Sequence, residues 1–142
     1  MDKVRAQNIG ATCLALHVRR AARQVARIYD QALRPVGLSN GQFSLLTMLA
    51  AKADWEMQPL ADALGADQSS LTAAIKPLKR RGLVEARADD KDRRVRRLAL
   101  TRSGDQLLDR ALPLWGEAQG RAEAAIESAS NTEFRNQLLA FS

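Results

Sequence analysis

Between Pro59 and Gly82 the chain has room for two short helices and only three residues, Gly65-Ala66-Asp67, to turn between them. Gly65 suits a left-handed helix stop and Asp67 an N-cap, so one helix ends and the next begins within a single tight corner. Pro59 fits the first turn of the leading helix, and the second runs to about Arg81 before Gly82. Pro77 lies inside that second helix, where its missing N–H predicts a kink or a loosened turn. From Leu83 the pattern shortens. Leu83–Ala86 and Val95–Leu100 read as two strands around the polar tip Asp89–Arg94, a hairpin. Helix, tight turn, helix and hairpin make a winged helix-turn-helix. Within it Ala61, Gly65 and Leu71 fall where such a unit needs a small residue, a turn glycine and a core apolar residue.

Longer helical patterns flank this unit. Leu14, Val18, Ala21, Val25, Ile28 and Ala32 recur at spacings of three and four, predicting a helix over 11–34 that Pro35 and Gly37 end. Ser39 and Gln42 form a capping box for a helix that stops near Lys52, with Leu38 and Phe43 as its hydrophobic staple. Thr101 caps a long helix to about Ile126, bent at Pro113, whose stripe includes Leu107, Ala111, Leu114, Trp115 and Ala118. A last helix carries Phe134, Leu138, Leu139 and Phe141. The fold class is mainly α with a small β-hairpin wing. One domain, 1–142, holds a winged helix-turn-helix lobe at 38–100 and long N- and C-terminal helices at 11–34 and 102–142.

Charge is concentrated on the same unit. The chain has a net charge of +6, and Lys76 to Arg97 holds ten basic residues against four acidic ones, which accounts for all of that excess. A diffuse excess serves solubility, whereas a concentrated one reads as a docking surface for a polyanion. A DNA major groove accepts one helix, whose N-terminal residues meet base edges. Here these are Gln68, Ser69, Ser70, Thr72 and Ala73, while Lys76, Lys79 and Arg80 further along suit phosphates.

Asp89-Asp90-Lys91-Asp92-Arg93-Arg94, followed by Leu100-Thr101-Arg102-Ser103-Gly104, resembles the wing and exit of the MarR family of bacterial transcriptional regulators. The family pattern is Asp-x-Arg-Asp-x-Arg and then Leu-Thr-x-x-Gly, with Lys91 the one departure. Leu78-Lys79-Arg80-Arg81-Gly82-Leu83-Val84 is similar to the family's passage from recognition helix to wing, and the resemblance covers nearly the whole chain. It implies that Arg94 enters the minor groove, with Lys91 and Arg93 beside it and Asp92 helping to hold the wing. A narrow A·T-rich minor groove attracts an inserted Arg by its enhanced negative potential. Many members carry Arg where this chain has Ala73. The resemblance also implies a homodimer, with the terminal helices of two subunits intertwined and two recognition helices reading a pseudo-palindrome in double-stranded DNA.

Other residues carry open alternatives. Cys13 and His17 are four apart, hence neighbours on one helical face. They are either a reactive thiol, similar to the organic-peroxide sensors of OhrR type, or a small packed Cys with a satisfied His. Trp55 and Trp115, with Arg20 as an anion partner, either line a pocket for a small-molecule effector or pack in the core. Against an enzyme stand the lack of a Gly-x-Ser-x-Gly elbow, a phosphate-binding glycine loop or metal-ligand spacing. One Cys and one His leave too few ligands for a zinc site of the usual kind, and no cofactor is expected. Met1–Gly10 lacks the apolar region of a signal peptide, and no apolar run approaches the roughly 20 residues of a membrane span. The expectation is a cytoplasmic, sequence-specific, homodimeric repressor released by a small-molecule ligand. Peroxide sensing through Cys13 and non-specific architectural DNA binding are the alternatives.

Overall fold

The computed structural model describes residues 1–89, 95–126 and 130–141. The N-terminal half runs α1 (Lys3–Thr12), α2 (Leu14–Leu33), a 3-10 turn (Arg34–Val36), α3 (Asn40–Ala51), β1 (Trp55–Glu56), α4 (Met57–Ala63) and α5 (Gln68–Arg80). There follow β2 (Val84–Ala88), β3 (Arg96–Leu100), α6 (Arg102–Ala124), α7 (Asn131–Leu138) and a closing 3-10 turn (Leu139–Phe141).

Side chains set the helix starts. Ser39 Oγ accepts from the Gln42 amide at 3.2 Å while the Gln42 side chain accepts from the Ser39 amide at 3.1 Å, the expected capping box. Asp67 caps α5 through the Ser70 amide at 2.7 Å, and Thr101 caps α6 through the Gly104 amide at 3.1 Å. Each oxygen satisfies one of the amides a helix start leaves without an intrahelical acceptor. Between α4 and α5, Gly65 adopts φ +61°, and the amides of Gly65 and Ala66 return to the carbonyls of Asp62 (3.0 Å) and Ala61 (2.9 Å). This left-handed stop turns the chain within the predicted three residues. Neither proline ends its helix: α5 runs through Pro77 and α6 through Pro113. In α5 the buried Leu71, Ile75 and Leu78 hold the turns on both sides, which outweighs one missing hydrogen bond.

The core gathers where the C-terminal end of α2 meets α3, α4, α5, the sheet and α6. Leu33, Leu45, Leu46, Leu60, Leu78 and Leu98 are fully buried there. The sheet has strand order β1-β3-β2, antiparallel throughout, with Ala86 and Trp55 flanking Leu98 and Arg87 and Glu56 flanking Arg97. The hairpin was expected. Its third strand, β1, was not: two residues show no alternation, and their ladder partner lies some forty positions away.

The helix expected over 11–34 is two. Asp2 caps α1 through the Arg5 amide at 2.8 Å, and Cys13, extended at φ −67° and ψ 105°, separates α1 from α2. The apolar stripe that predicted α2 is real but largely uncovered. Leu33 is its one buried residue, and Leu14, Val18 and Val25 are exposed. Phe134, Leu138, Leu139 and Phe141 at the other end of the chain are exposed as well. Among the described residues no helix is long and apolar enough to cross a membrane.

Candidate nucleic-acid interface

α5 turns one face to the core and the other outward. Leu71, Ile75 and Leu78 are buried, whereas Gln68, Ser69, Ser70, Thr72, Ala73, Lys76, Lys79 and Arg80 are not. The sequence-predicted groove residues of this helix therefore share the solvent side of one element. Its N-terminal end is held by side-chain hydrogen bonds. Besides the cap on the Ser70 amide, the Ser70 hydroxyl donates to Asp67 Oδ2 at 2.7 Å, and these hydrogen bonds hold the Asp67 carboxyl below its ordinary range. The Thr72 hydroxyl donates to the Gln68 carbonyl at 2.8 Å. Both hydroxyls have thus committed their proton and keep acceptor lone pairs.

Beside α5 runs a groove of about 760 Å³, walled on its far side by the sheet. Met57, Ile75, Ala86 and Leu98 form an apolar floor, and Lys76, Lys79, Arg80 and Arg96 bring cations to its edges. Arg96 was not singled out in the sequence. Strand alternation could have found it, because residues 96 and 98 share a face of β3 and Leu98 is the core position. The expected wing contacts, Lys91, Arg93 and Arg94, lie outside the described residues.

A second cavity, of about 530 Å³, opens between α3, the end of α4 and α6. Phe43, Thr47, Met48, Leu64, Leu112 and Trp115 line it, with Phe43 and Trp115 stacked at 6.2 Å between ring centroids. Of the three residues expected at an effector pocket, the structure brings only Trp115 here. Trp55 lies on β1, where its indole N–H donates to the Met48 carbonyl at 2.8 Å and Lys52 sits over its ring. Arg20 is exposed on α2 and lines neither cavity.

Cys13 is the N-cap of α2 and His17 lies one turn into that helix, its amide bonded to the Cys13 carbonyl at 3.2 Å. The imidazole Nδ1 donates to the Cys13 carbonyl at 2.8 Å, so the bond between the two residues engages backbone and not sulfur. Among the described residues no group of His, Cys, Asp and Glu converges as metal ligands would.

Comparison with known proteins places this geometry. The MarR family pattern matches residues 38–95, the span from α3 to the start of the second wing strand. The transcriptional repressor MprA of Escherichia coli K12 is 30% identical over 134 residues, covering 93% of this chain and 72% of MprA. The transcriptional regulator MosR of M. tuberculosis, in complex with DNA, is 36% identical and superposes with a TM-score of 0.81 over 91% of this chain and 92% of MosR. CouR of Rhodococcus jostii RHA1, bound to p-coumaroyl-CoA, is 26% identical with a TM-score of 0.78 over 92% of each chain.

Proposed function

The chain belongs to the MarR family of winged-helix transcriptional regulators, and from that premise we propose that it is a homodimeric repressor whose two α5 helices enter successive major grooves of a pseudo-palindromic operator. The observation that carries this reading is the joined surface of α5 and the sheet. One continuous strip carries short polar side chains at the helix start and four cations, Lys76, Lys79, Arg80 and Arg96, along the groove beside it. The cations neutralise phosphates and set register, while the helix start reads bases.

The committed hydroxyl protons sharpen the readout. Ser70 and Thr72 act as acceptors, which suits the amino groups of adenine and cytosine in the major groove, and the Thr72 methyl suits thymine. Gln68 retains both donor and acceptor for adenine. Ala73 adds a methyl and no charge, so discrimination at its base pair rests on apolar contact. Arg94, with Lys91 and Arg93, supplies the minor-groove contact on the flank.

Release follows from an effector in the cavity between α3, α4 and α6. Its apolar lining and stacked aromatic wall favour a lipophilic molecule. Such a ligand lowers DNA affinity by the ratio of its affinities for the DNA-competent and mis-spaced dimers, and by no more.

The test begins with duplexes selected by the purified protein from random sequence. We expect a palindromic consensus, with log affinity falling linearly with log salt. Lys76→Ala should weaken all duplexes alike and lower the salt slope by about 1, and Arg94→Ala should cost at least about 1 kcal/mol. Binding that shows no preference over random DNA would replace the repressor with an architectural protein. We expect hydrogen peroxide to leave binding unchanged. Release that peroxide causes in the wild type but not in Cys13→Ser would move the sensing role from the cavity to the thiol.

A further inference from the structure

The face of the sheet turned away from α5 carries a row of charge. Leu98 and Arg96 face the groove, so Arg97 and its cross-strand neighbours Glu56 and Arg87 lie on the opposite face. Two arginines directly opposed across β2 and β3 weaken a sheet unless acids neutralise them. Arg87 takes Glu85, two positions along its own strand. Arg97 does something different.

Its guanidinium reaches three acceptors at once. Nε donates to Asp89 Oδ2, Nη2 pairs with Glu56 Oε1 at 3.0 Å, and Nη1 donates to the Asp54 carbonyl at 3.1 Å. Asp89 is the last residue described before the wing tip, its amide bonded to the Val95 carbonyl at 3.0 Å, so these two residues form the base of the wing. Asp54 and Glu56 are the residues from which the chain enters α4, the first helix of the helix-turn-helix. Asp54 adopts φ +55°, the left-handed region that Asp tolerates better than most residues with a Cβ, and this turns the chain into β1. The Asp89 carboxyl is largely buried against this clamp, its side chain 12% exposed.

We infer that Arg97 is a positioning residue for DNA binding: by tying the base of the wing to the entrance of the helix-turn-helix, it sets the angle at which wing and α5 meet the duplex together. The inference rests on the reading of the wing as a DNA contact. Arg97 itself lies on the face away from α5, so it acts through the wing arginines and not by touching DNA. Three acceptors on two segments call for a planar fork of donors, and a lysine ammonium, being a point charge, cannot hold all of them in one plane.

A double-mutant cycle tests this on the protein's own selected duplex. We expect Arg97→Gln to weaken binding about tenfold in the wild-type background and by less than about twofold in an Arg94→Ala background, because a misplaced wing costs nothing once its contact is gone. The dimer and its thermal midpoint should change little, and Arg97→Lys should recover only part of the loss. An equal loss in both backgrounds would show a general structural role and overturn the inference, as would full affinity in Arg97→Gln. Should Arg97→Gln fail to fold, Glu56→Gln and Asp89→Asn each remove one arm of the clamp. Their losses must likewise vanish in the Arg94→Ala background, and additive losses overturn the proposal. A silent Arg94→Ala on its own reports that the wing reading has failed, and the route from Arg97 to DNA fails with it.

Discussion

Gly104 sits in the first turn of α6 with the Leu83 carbonyl against its Cα. A methyl group there would lie 2.3 Å from that oxygen and 2.6 Å from Leu100 Cδ1. The oxygen cannot swing aside, because it accepts the Thr101 amide at 3.1 Å, while the Thr101 hydroxyl donates to Gly82 at 2.6 Å and accepts from Gly104. We therefore expect Gly104→Ala to cost about 1–3 kcal/mol, read as a lowered midpoint in thermal melting; an unchanged midpoint would show that the junction can relax. In the sequence, Thr101 is legible as a helix cap, whereas the need for a glycine at 104 is not. The structure supplies the reason: the residues lock the exit of the wing onto α6. The same holds for Ser70 and Thr72. Their position in the recognition helix is legible from the motif, but the commitment of their protons depends on local geometry that no spacing encodes.

At the scale of elements, a relay of polar side chains joins the helices outside the winged lobe. The Tyr29 hydroxyl of α2 donates to Gln119 of α6, Gln119 Nε2 donates to Glu123 Oε1 at 2.7 Å, and Arg135 of α7 pairs with the same oxygen at 2.8 Å. Burial of the phenol, and then the negative charge of Glu123, push the Tyr29 pKa above its ordinary value. A group whose folded pKa is raised contributes stability that is complete below the unfolded value, near 10 for tyrosine. That contribution is lost as pH rises through the folded value. Tyr29 is the chain's one tyrosine, so its absorbance change reports this site alone. We expect the titration midpoint to lie above the ordinary range in the native protein and to fall back in guanidinium chloride. Tyr29→Phe should remove that part of the alkaline loss of stability; a native midpoint at or below the ordinary value would contradict the relay. The helices themselves were predictable from their stripes, whereas the pairing of Tyr29 with a residue ninety positions away was not.

The whole molecule leaves much of its apolar surface in water. α1 and α7 bury nothing, α2 buries Leu33 alone, and Leu14, Val18, Val25, Phe134, Leu138, Leu139 and Phe141 all stand exposed. Exposed apolar side chains on helices at both ends of the chain suit burial against a second copy, which leads us to expect a dimer. The purified protein should sediment at twice 15.6 kDa. Val18→Asp and Val25→Asp, placed on that exposed face and away from the lobe, should shift it toward monomer, lower its melting midpoint and weaken operator binding, since one recognition helix reads too few base pairs. A wild-type monomer at micromolar concentration would remove the homodimer from the mechanism.

Local chemistry was decisive wherever a cap, a turn or a period sufficed. The capping box at Ser39, the Gly65 corner, the Asp67 and Thr101 caps and the hairpin are settled within a few residues of chain, and all are readable from the order of residues alone. Where partners are distant, tertiary structure decided. It recruited Trp55 and Glu56 as a third strand and carried Trp55 away from the cavity that Trp115 lines. It also gathered Asp54, Glu56 and Asp89 around Arg97. A hydrogen bond across forty residues leaves no period in the sequence. Its geometry exists only once the core has packed and closed the intervening loop.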